Sequence, residues 1–198
     1  MWLCLVLEKN QLPRLLAFWQ KGLLIPAQVG CSLKALLCGQ FGLSPAYLQE
    51  RIKTIFLNGK SVDDPDTAII RSGSILALSG ALPGLAGATL RRAGFLASFR
   101  SQLTHEENKT AVSPEDGIIT VKLFNLLVDE LGPVLLKRGV LLPSRDFAEF
   151  WKSMPGEFWK ACRAAQVNGR KISVEELQSL SWLDKRDLIG LQVDFPAG

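Results

Sequence analysis

The sequence predicts an α+β protein built from two tandem units of the order ββαββ, joined by a connector rich in glycine and arginine. Three observations favour this class: two blocks of sequence recur in the same order, each copy alternates short apolar runs with one longer amphipathic stretch, and Asn-Gly turns occupy matching places. We expect a first repeat at 1–80, a connector at 81–116 and a second repeat at 117–198.

The repeat rests on two pairs of segments. The segments 12–26 (LPRLLAFWQKGLLIP) and 132–143 (GPVLLKRGVLLP) share Pro-x-Leu-Leu, a basic residue, Gly, three apolar residues and Pro. The segments 41–62 and 151–172 align without gaps, and their Asn-Gly pairs coincide. Two matched blocks in the same order indicate a tandem duplication.

In the first repeat we expect strands at 2–7 and 23–25, followed by a helix with Ser32 as its N-cap. The apolar face of this helix would contain Leu33, Leu36, Leu37 and Phe41. Ser44-Pro45 restarts the helix, because proline cannot continue the preceding one. A strand at 54–57, a tight turn at Asn58-Gly59 and a strand at 74–78 complete the repeat.

The second repeat opens with a β-branched strand from residue 117, and the spacing of the next apolar residues predicts a short helical turn. A strand follows at 140–142, and Ser144 is the expected N-cap of a helix that Pro155 interrupts. That helix carries an apolar stripe of Phe147, Phe150, Trp151, Met154, Phe158 and Cys162. A turn at Asn168-Gly169, a helix start at 173–176 and a strand at 187–193 end the repeat.

The ββαββ order resembles the β-grasp, or ubiquitin-like, fold. The stretches ITVKLFNLLVDELG and GVLLP look like the first hairpin of the small sulfur carriers of molybdopterin and thiamine synthesis. FLNGKSVDDPDTAIIRSGSILALSGALPGLAG looks like the second half of those carriers. The resemblance covers both repeats and implies a β-grasp fold for each.

The resemblance also implies a carrier chemistry, in which a C-terminal Gly-Gly is adenylated and converted to a thiocarboxylate. Only Gly198 matches that motif, because Ala197 stands in place of the first glycine and Pro196 stiffens the tail. The first repeat reaches the corresponding point at Gly87, but there the chain continues. A divergent carrier acting through Gly198 is therefore an alternative function.

The composition and net charge bear on which classes of partner the protein could bind. The chain is 47% hydrophobic and 21% charged, which is typical of a folded globular protein. A net charge of +4 is too small an excess to predict a nucleic-acid partner. The apolar run at the N-terminus is too short for a membrane span and lacks the flanks of a signal peptide, so we expect no membrane segment and a cytoplasmic location.

Residue types that carry catalysis or bind metals are sparse. Cys4, Cys31, Cys38 and Cys162 form no C-x-x-C pair, so free buried thiols are expected. The single histidine, His105, lies beside two glutamates in a polar stretch, which is typical of a solvated linker. The aspartates at 63, 64 and 66 lack the spacing of a calcium loop and favour turn capping. We therefore expect neither an enzyme nor a cofactor.

The connector carries no charge before Arg91. Gly84, Gly87 and Thr89 could present backbone donors to an anion, with added charge from the three arginines that follow, Arg91, Arg92 and Arg100. The plainer interpretation is a link whose Phe and Leu side chains pack on one repeat. The first functional hypothesis is accordingly a non-catalytic interaction module that binds a protein partner or a second copy of itself. Besides the carrier, the alternative is a binder of an anionic ligand or membrane surface through residues 84–100.

Overall fold

The computed structural model describes residues 1–16, 18–80, 113–181, 183 and 187–196. The strands in these ranges are β1 Trp2–Leu7, β2 Leu23–Val29, β3 Thr54–Leu57, β4 Lys60–Ser61, β5 Ile75–Ser79, β6 Glu115–Phe124, β7 Val140–Pro143, β8 Cys162–Val167, β9 Arg170–Lys171 and β10 Leu188–Asp194. The helices are α1 Leu12–Leu16, α2 Phe18–Lys21, the π-helical α3 Ala35–Gln40, α4 Pro45–Glu50, α5 Leu126–Arg138, α6 Ser144–Lys152, α7 Gly156–Lys160 and α8 Val174–Ser179. Mixed sheet pairing together with these helices confirms the α+β class.

The chain divides into two compact units. Unit A consists of Met1–Phe18 and Leu131–Gly198, and unit B consists of Trp19–Glu130. Unit A therefore takes its strands from both ends of the chain, whereas unit B is continuous in sequence.

The sheet of unit B has the strand order β4-β3-β5-β6-β2. Its centre is a parallel pair, in which Ile75 of β5 lies opposite Thr120 of β6. The long β6 also pairs antiparallel with β2, and β3 pairs antiparallel with both β5 and β4. Alternate side chains of these strands pack against apolar residues of the helical segment in a core of Leu23, Ile25, Leu33, Leu36, Leu37, Leu48, Ile55, Leu57, Leu76, Leu78, Ile119, Val121 and Leu123.

The sheet of unit A has the strand order β7-β10-β1-β8-β9. Here the central parallel pair is β10 and β1, while β7 and β8 flank that pair antiparallel. The core contains an aromatic cluster around Trp151, whose ring centroid lies 4.7 Å from that of Phe147 and 5.1 Å from that of Trp159. The Trp151 indole N–H donates to the Leu177 carbonyl at 3.0 Å, so the buried ring has a partner for its polar atom. Of the predicted helical stripe, Phe147 and Trp151 of α6 and Phe158 of α7 lie in the core, whereas Cys162 is buried on β8 and not on a helix.

Strand partners differ from the expectation that the repeats at 1–80 and 117–198 each build their own sheet. β1 pairs with β8 and β10 of the second repeat, and β6, which begins inside the expected connector, pairs with β2 and β5 of the first. Both strands have the same alternation of buried side chains, so their pattern alone fits either sheet. The tandem duplication itself stays a prediction from the sequence.

Most local predictions are confirmed. The Ser44 hydroxyl accepts from the Tyr47 N–H at 3.1 Å at the start of α4, and Ser32 accepts from the Ala35 N–H at 3.2 Å. At the start of α8, the Ser173 hydroxyl caps the helix in the same way. The strands at 2–7 and 54–57 have the expected bounds, and the strand begun at Leu23 continues to Val29.

Two local predictions are wrong. Ser144 does not cap α6, because Pro143 holds the N-cap position and the Ser144 hydroxyl is buried without a hydrogen-bond partner. The expected short helical turn is instead the long helix α5, which continues through Pro133. Proline removes one helical hydrogen bond, but the helix is held by buried leucines on both sides of it, Leu127, Leu131, Leu135 and Leu136.

Candidate functional site

One face of the unit B sheet carries several exposed apolar side chains. The alternation of β5 and β6 directs one set of side chains into the core and the other outward. The outward set includes Ile75, Ile118 and Phe124, which are 45%, 37% and 38% exposed. We call the outward apolar side chains Phe56, Ile75, Ala77, Ile118 and Phe124 the unit B sheet face.

Strand register brings Phe56, Ala77 and Phe124 together at one end of this face and Ile75 near Ile118 at the other, with Thr120 and Lys122 at the outward positions of β6 between them. Phe56 of β3 lies opposite Ala77 of β5, and the last residue of β5, Ser79, lies opposite Phe124 of β6. A groove of about 250 Å³ runs along this end of the face, lined by Phe56, Ala77, Leu78, Ser79, Phe124 and Asn125. Asn125, which has a positive φ of 55°, donates its side-chain N–H to the Ser79 hydroxyl at 3.0 Å. The groove therefore has apolar walls and a small polar rim at one end.

No titratable side chain is among the residues that line this groove, so they supply no general acid or base. Covering the apolar walls of this groove with another apolar surface lowers the free energy, because it removes them from water. Apolar surface contributes about 25 cal/mol per Å² when buried, and phenylalanine and isoleucine side chains supply the largest areas here. Such a face suits an apolar side chain or a complementary protein surface.

The corresponding face of unit A is more polar. Cys4 of β1 lies between Gln166 of β8 and Gln192 of β10, and its Sγ is 3.8 Å from the Gln192 Oε1. A smaller groove of about 120 Å³ there also includes Asp194, which pairs with Lys137 at 3.1 Å. The two sheets therefore share a topology of central parallel strands but present different chemistry outward.

A polar cluster in unit B joins α4 to the start of α5. The Tyr47 hydroxyl donates to the Glu130 carboxylate at 2.6 Å, and the Arg51 guanidinium forms a salt bridge with the same carboxylate. Hydrogen bonds from Arg51 and then from Tyr47 hold the pKa of Glu130 below its ordinary value. Burial, and next the Glu130 carboxylate, raise the pKa of Tyr47 above its ordinary value. Tyr47 and Arg51 thus hold one carboxylate of α5 beside the C-terminal end of α4. We call Tyr47, Arg51 and Glu130 the clamp between α4 and α5.

The site residues proposed from the sequence lie outside the described residues. These are the anion or partner contacts Gly84, Gly87, Thr89, Arg91, Arg92 and Arg100 and the carrier tail residue Gly198. His105, interpreted from the sequence as a linker residue, also lies outside the described residues. The aspartates of the acidic loop are described: the Asp66 carboxylate pairs with Lys34 at 3.0 Å, and the Asp64 carboxylate accepts from the Asp66 N–H at 2.9 Å. These contacts are those of a capped turn.

Within the described ranges, no three His, Cys, Asp or Glu side chains are grouped so that they could hold a metal ion. Among the same residues, no helix combines the length and the apolar character needed to cross a membrane. The cysteines at 4, 31, 38 and 162 are free thiols, and burial raises the pKa of Cys162.

Sequence reasoning did not identify the unit B sheet face, although a signal was present. In β5, the run Ile75–Leu78 is apolar at every position, which marks a strand with an apolar outward face as well as a buried one. The second signal is Ile118 and Phe124 at outward positions of β6. Comparison with known proteins adds no relative, since no family model, no curated protein and no solved structure matches the chain.

Proposed function

We propose that this protein is a non-catalytic interaction module that binds a protein partner through the unit B sheet face. The observation that carries the proposal is that the apolar groove beside Phe56 and Phe124 lies on the same sheet face as the exposed Ile75 and Ile118. Thr120 and Lys122 of β6 lie between Ile118 and Phe124 on that face, so the apolar surface has a polar strip within it. Exposed apolar patches on folded proteins mark surfaces that are covered by a partner. Aromatic side chains such as Phe56 and Phe124 are enriched at the centres of such interfaces.

We further propose that both units are divergent β-grasp sheets that arose by duplication. Support comes from the mixed five-stranded order with a parallel central pair in each. The aligned segments also have matching elements: α4 and α7, β3 and β8, and β4 and β9 lie in corresponding places. The two Asn-Gly turns share positive φ at both residues.

The test is recovery of partners by the tagged full-length chain from its own cells. We compare the wild-type chain with the double variant Ile75→Glu/Phe124→Glu, which places charges on the unit B sheet face without entering the core. Gln49→Glu/Gln178→Glu, at exposed positions of α4 and α8, is the matched control for two added charges outside this face. A melting temperature close to that of the wild type confirms that each variant is folded.

The proposal expects a stoichiometric partner that the wild type and the control Gln49→Glu/Gln178→Glu retain in 1 M salt and the variant Ile75→Glu/Phe124→Glu loses. Retention in 1 M salt matters because charge interactions are screened within about 3 Å at that concentration. A partner that Ile75→Glu/Phe124→Glu keeps contradicts the proposal. Loss on deletion of Gly198, with a thiocarboxylate detected by intact mass, would instead favour the carrier. Loss in high salt and on replacement of Arg91, Arg92 and Arg100 by alanine would favour an anionic ligand or membrane surface.

A further inference from the structure

The central strands of both sheets cross between the two halves of the chain. We call residues 1–80 the N-half and residues 113–198 the C-half. In unit B, β6 of the C-half lies between β2 and β5 of the N-half. In unit A, β1 of the N-half lies between β8 and β10 of the C-half. All four of these ladders join one half to the other.

Neither half retains a continuous sheet without the exchanged strand. Removing β6 separates β2 from the three-stranded remainder β4-β3-β5. Removing β1 separates the pair β7-β10 from the hairpin β8-β9. Isolated two-stranded pieces are marginal in water, because they cannot bury an apolar face. Each half therefore depends on the other for its core as well as for its backbone hydrogen bonds.

Glycines in each half leave room for the strand from the other. A Cβ at Gly190 would lie 2.4 Å from the indole of Trp2, and one at Gly139 would lie 2.8 Å from the same ring. In unit B, a Cβ at Gly30 would lie 2.4 Å from the carbonyl oxygen of Ser113, where the chain enters β6. Any side chain at these places would have to displace the partner strand or its neighbour. At these three glycines the two halves of the chain are in close contact, and no space is left for a side chain.

The exchanged strand β1 makes the contacts that β5 makes in unit B. The Asn58 side-chain oxygen accepts from the Ile75 N–H at 2.8 Å, and the Asn58 N–H donates to the Ile75 carbonyl. In unit A, the Asn168 side-chain oxygen accepts from the Trp2 N–H at 2.9 Å, and the Asn168 N–H donates to the Trp2 carbonyl. In unit A, β1 therefore receives the same pair of hydrogen bonds from the Asn-Gly turn that β5 receives in unit B.

We propose that the N-half and the C-half are complementary folding partners, so that a chain cut between residues 81 and 112 remains a one-to-one complex. The recognition surface is the pair of strands β1 and β6 with the core side chains that they carry across. The fully buried Leu3, Leu5 and Leu7 belong to the N-half, and the fully buried Ile119, Val121 and Leu123 belong to the C-half. The covalent link between the halves is dispensable for the fold once the two are paired.

The experiment uses the full-length chain with a site-specific protease sequence inserted after Gly87. After cleavage, native mass spectrometry and size-exclusion chromatography at micromolar concentration should show both fragments in one complex with the mass of the uncut chain. Each fragment, separated in denaturant and diluted alone, should lack the circular dichroism of the native protein, and mixing the two should restore it. Fragments that elute separately as folded species would overturn the proposal, since self-contained repeats behave in that way.

Adjacent positions on β6 provide a matched pair of variants in the cut chain. Ile119 is fully buried, whereas Ile118 is 37% exposed on the opposite face of the strand. Ile119→Asp places a charge in the core and should dissociate the fragments, while Ile118→Asp should leave them associated. Dissociation by neither variant, or by both equally, contradicts the assignment of β6 to the core of unit B.

A cross-link tests the other strand independently of stability. Cys4 of β1 lies opposite Gln166 of β8, and Lys171 of β9 lies one strand further away. Oxidation of the cut Gln166→Cys variant should join the fragments through a disulfide to Cys4, because antiparallel partners lie within the Cα separation that a disulfide requires. Lys171→Cys should give no such product, and Cys4→Ser should abolish the cross-link of Gln166→Cys. A Gln166→Cys chain that does not cross-link would contradict the exchange of β1.

Discussion

Tyr47 is the chain's only tyrosine, so an optical titration of tyrosinate reports on this one side chain. Burial and the hydrogen bond to the Glu130 carboxylate raise the pKa of Tyr47 above its ordinary value of 10.0. A raised pKa in the folded state means that the phenol contributes stability below pH 10, which is lost as the pH rises further. The clamp between α4 and α5 therefore loosens in alkali.

We predict that Glu130→Gln lowers the midpoint of the Tyr47 titration. The neutral amide removes the nearby negative charge, and the midpoint should stay above 10 because the burial of the ring is unchanged. The measurement is tyrosinate absorbance against pH in the native protein. Glu149→Gln serves as the control, since this glutamate pairs with Arg145 on α6 rather than with Tyr47. An unchanged midpoint in Glu130→Gln would contradict the described clamp.

Gly190 lies directly against the Trp2 indole, which occupies the space that a side chain at position 190 would need. We predict that Gly190→Ala lowers the free energy of unfolding in urea by about 1–3 kcal/mol, the usual cost of overpacking. Trp2→Ala should cost less in the Gly190→Ala background than in the wild type, since the clash is then removed. Gly156→Ala is the control, because a Cβ there meets no atom within 4 Å. Additive costs of the two changes would argue against the Trp2–Gly190 contact.

At the scale of elements, the two Asn-Gly turns make the same contact: the asparagine side chain accepts a hydrogen bond from the N–H at the start of a neighbouring strand, β5 for Asn58 and β1 for Asn168. We predict that Asn168→Gly costs about 0.5–1.5 kcal/mol, because glycine keeps the positive φ but loses the hydrogen bond to the Trp2 N–H. Asn168→Ala should cost about 1–2 kcal/mol more, since alanine is strained in the left-handed region. Urea unfolding should give the same order for Asn58→Gly and Asn58→Ala. A reversed order in either turn would contradict the equivalence.

Elements governed by near neighbours could be predicted from the sequence. The Ser44 and Ser173 caps and both Asn-Gly turns depend on residues within a few positions, and each is found in the structure. The failures, Ser144 and the length of α5, depend on distant contacts. Ser144 donates its N–H to the Asp187 carbonyl at 2.9 Å, and buried leucines carry α5 through Pro133. Tertiary packing thus overrides the local signal at these places.

At the scale of the whole molecule, the alternation of a strand indicates which side chains are buried but not which strand lies beside it. β1 and β6 alternate alike, so the sequence predicted their existence and not their exchange. The unit B sheet face was missed for the same reason. It is assembled from β3, β5 and β6, and Phe124 reaches Ser79 only because β6 lies in the sheet of the N-half.

The parallel pairing of β5 with β6 sets a minimum length for the link between them. Ser79 at the end of β5 lies level with Phe124, whereas β6 starts at Glu115, about 30 Å away at a rise of about 3.3 Å per residue. The 32 residues from 81 to 112 have a maximum extended length of about 100 Å, which exceeds that distance. If residues 81–112 are deleted, only three residues remain between Ser79 and Glu115, and these four Cα–Cα steps reach about 14 Å at most. Such a chain cannot place its own β6 beside its own β5.

We therefore predict that deletion of 81–112 converts the protein into a dimer in which each N-half pairs with the C-half of the other copy. All strand pairings are then kept, because the exchange depends on the two halves and not on which chain supplies them. Light scattering should give twice the chain mass for this variant. Deletion of only 92–101 should remain monomeric, since its link still reaches about 70 Å or more. A monomer with wild-type thermal stability after the longer deletion would show that β6 reaches its place by another route, and would contradict the parallel pairing on which unit B is built.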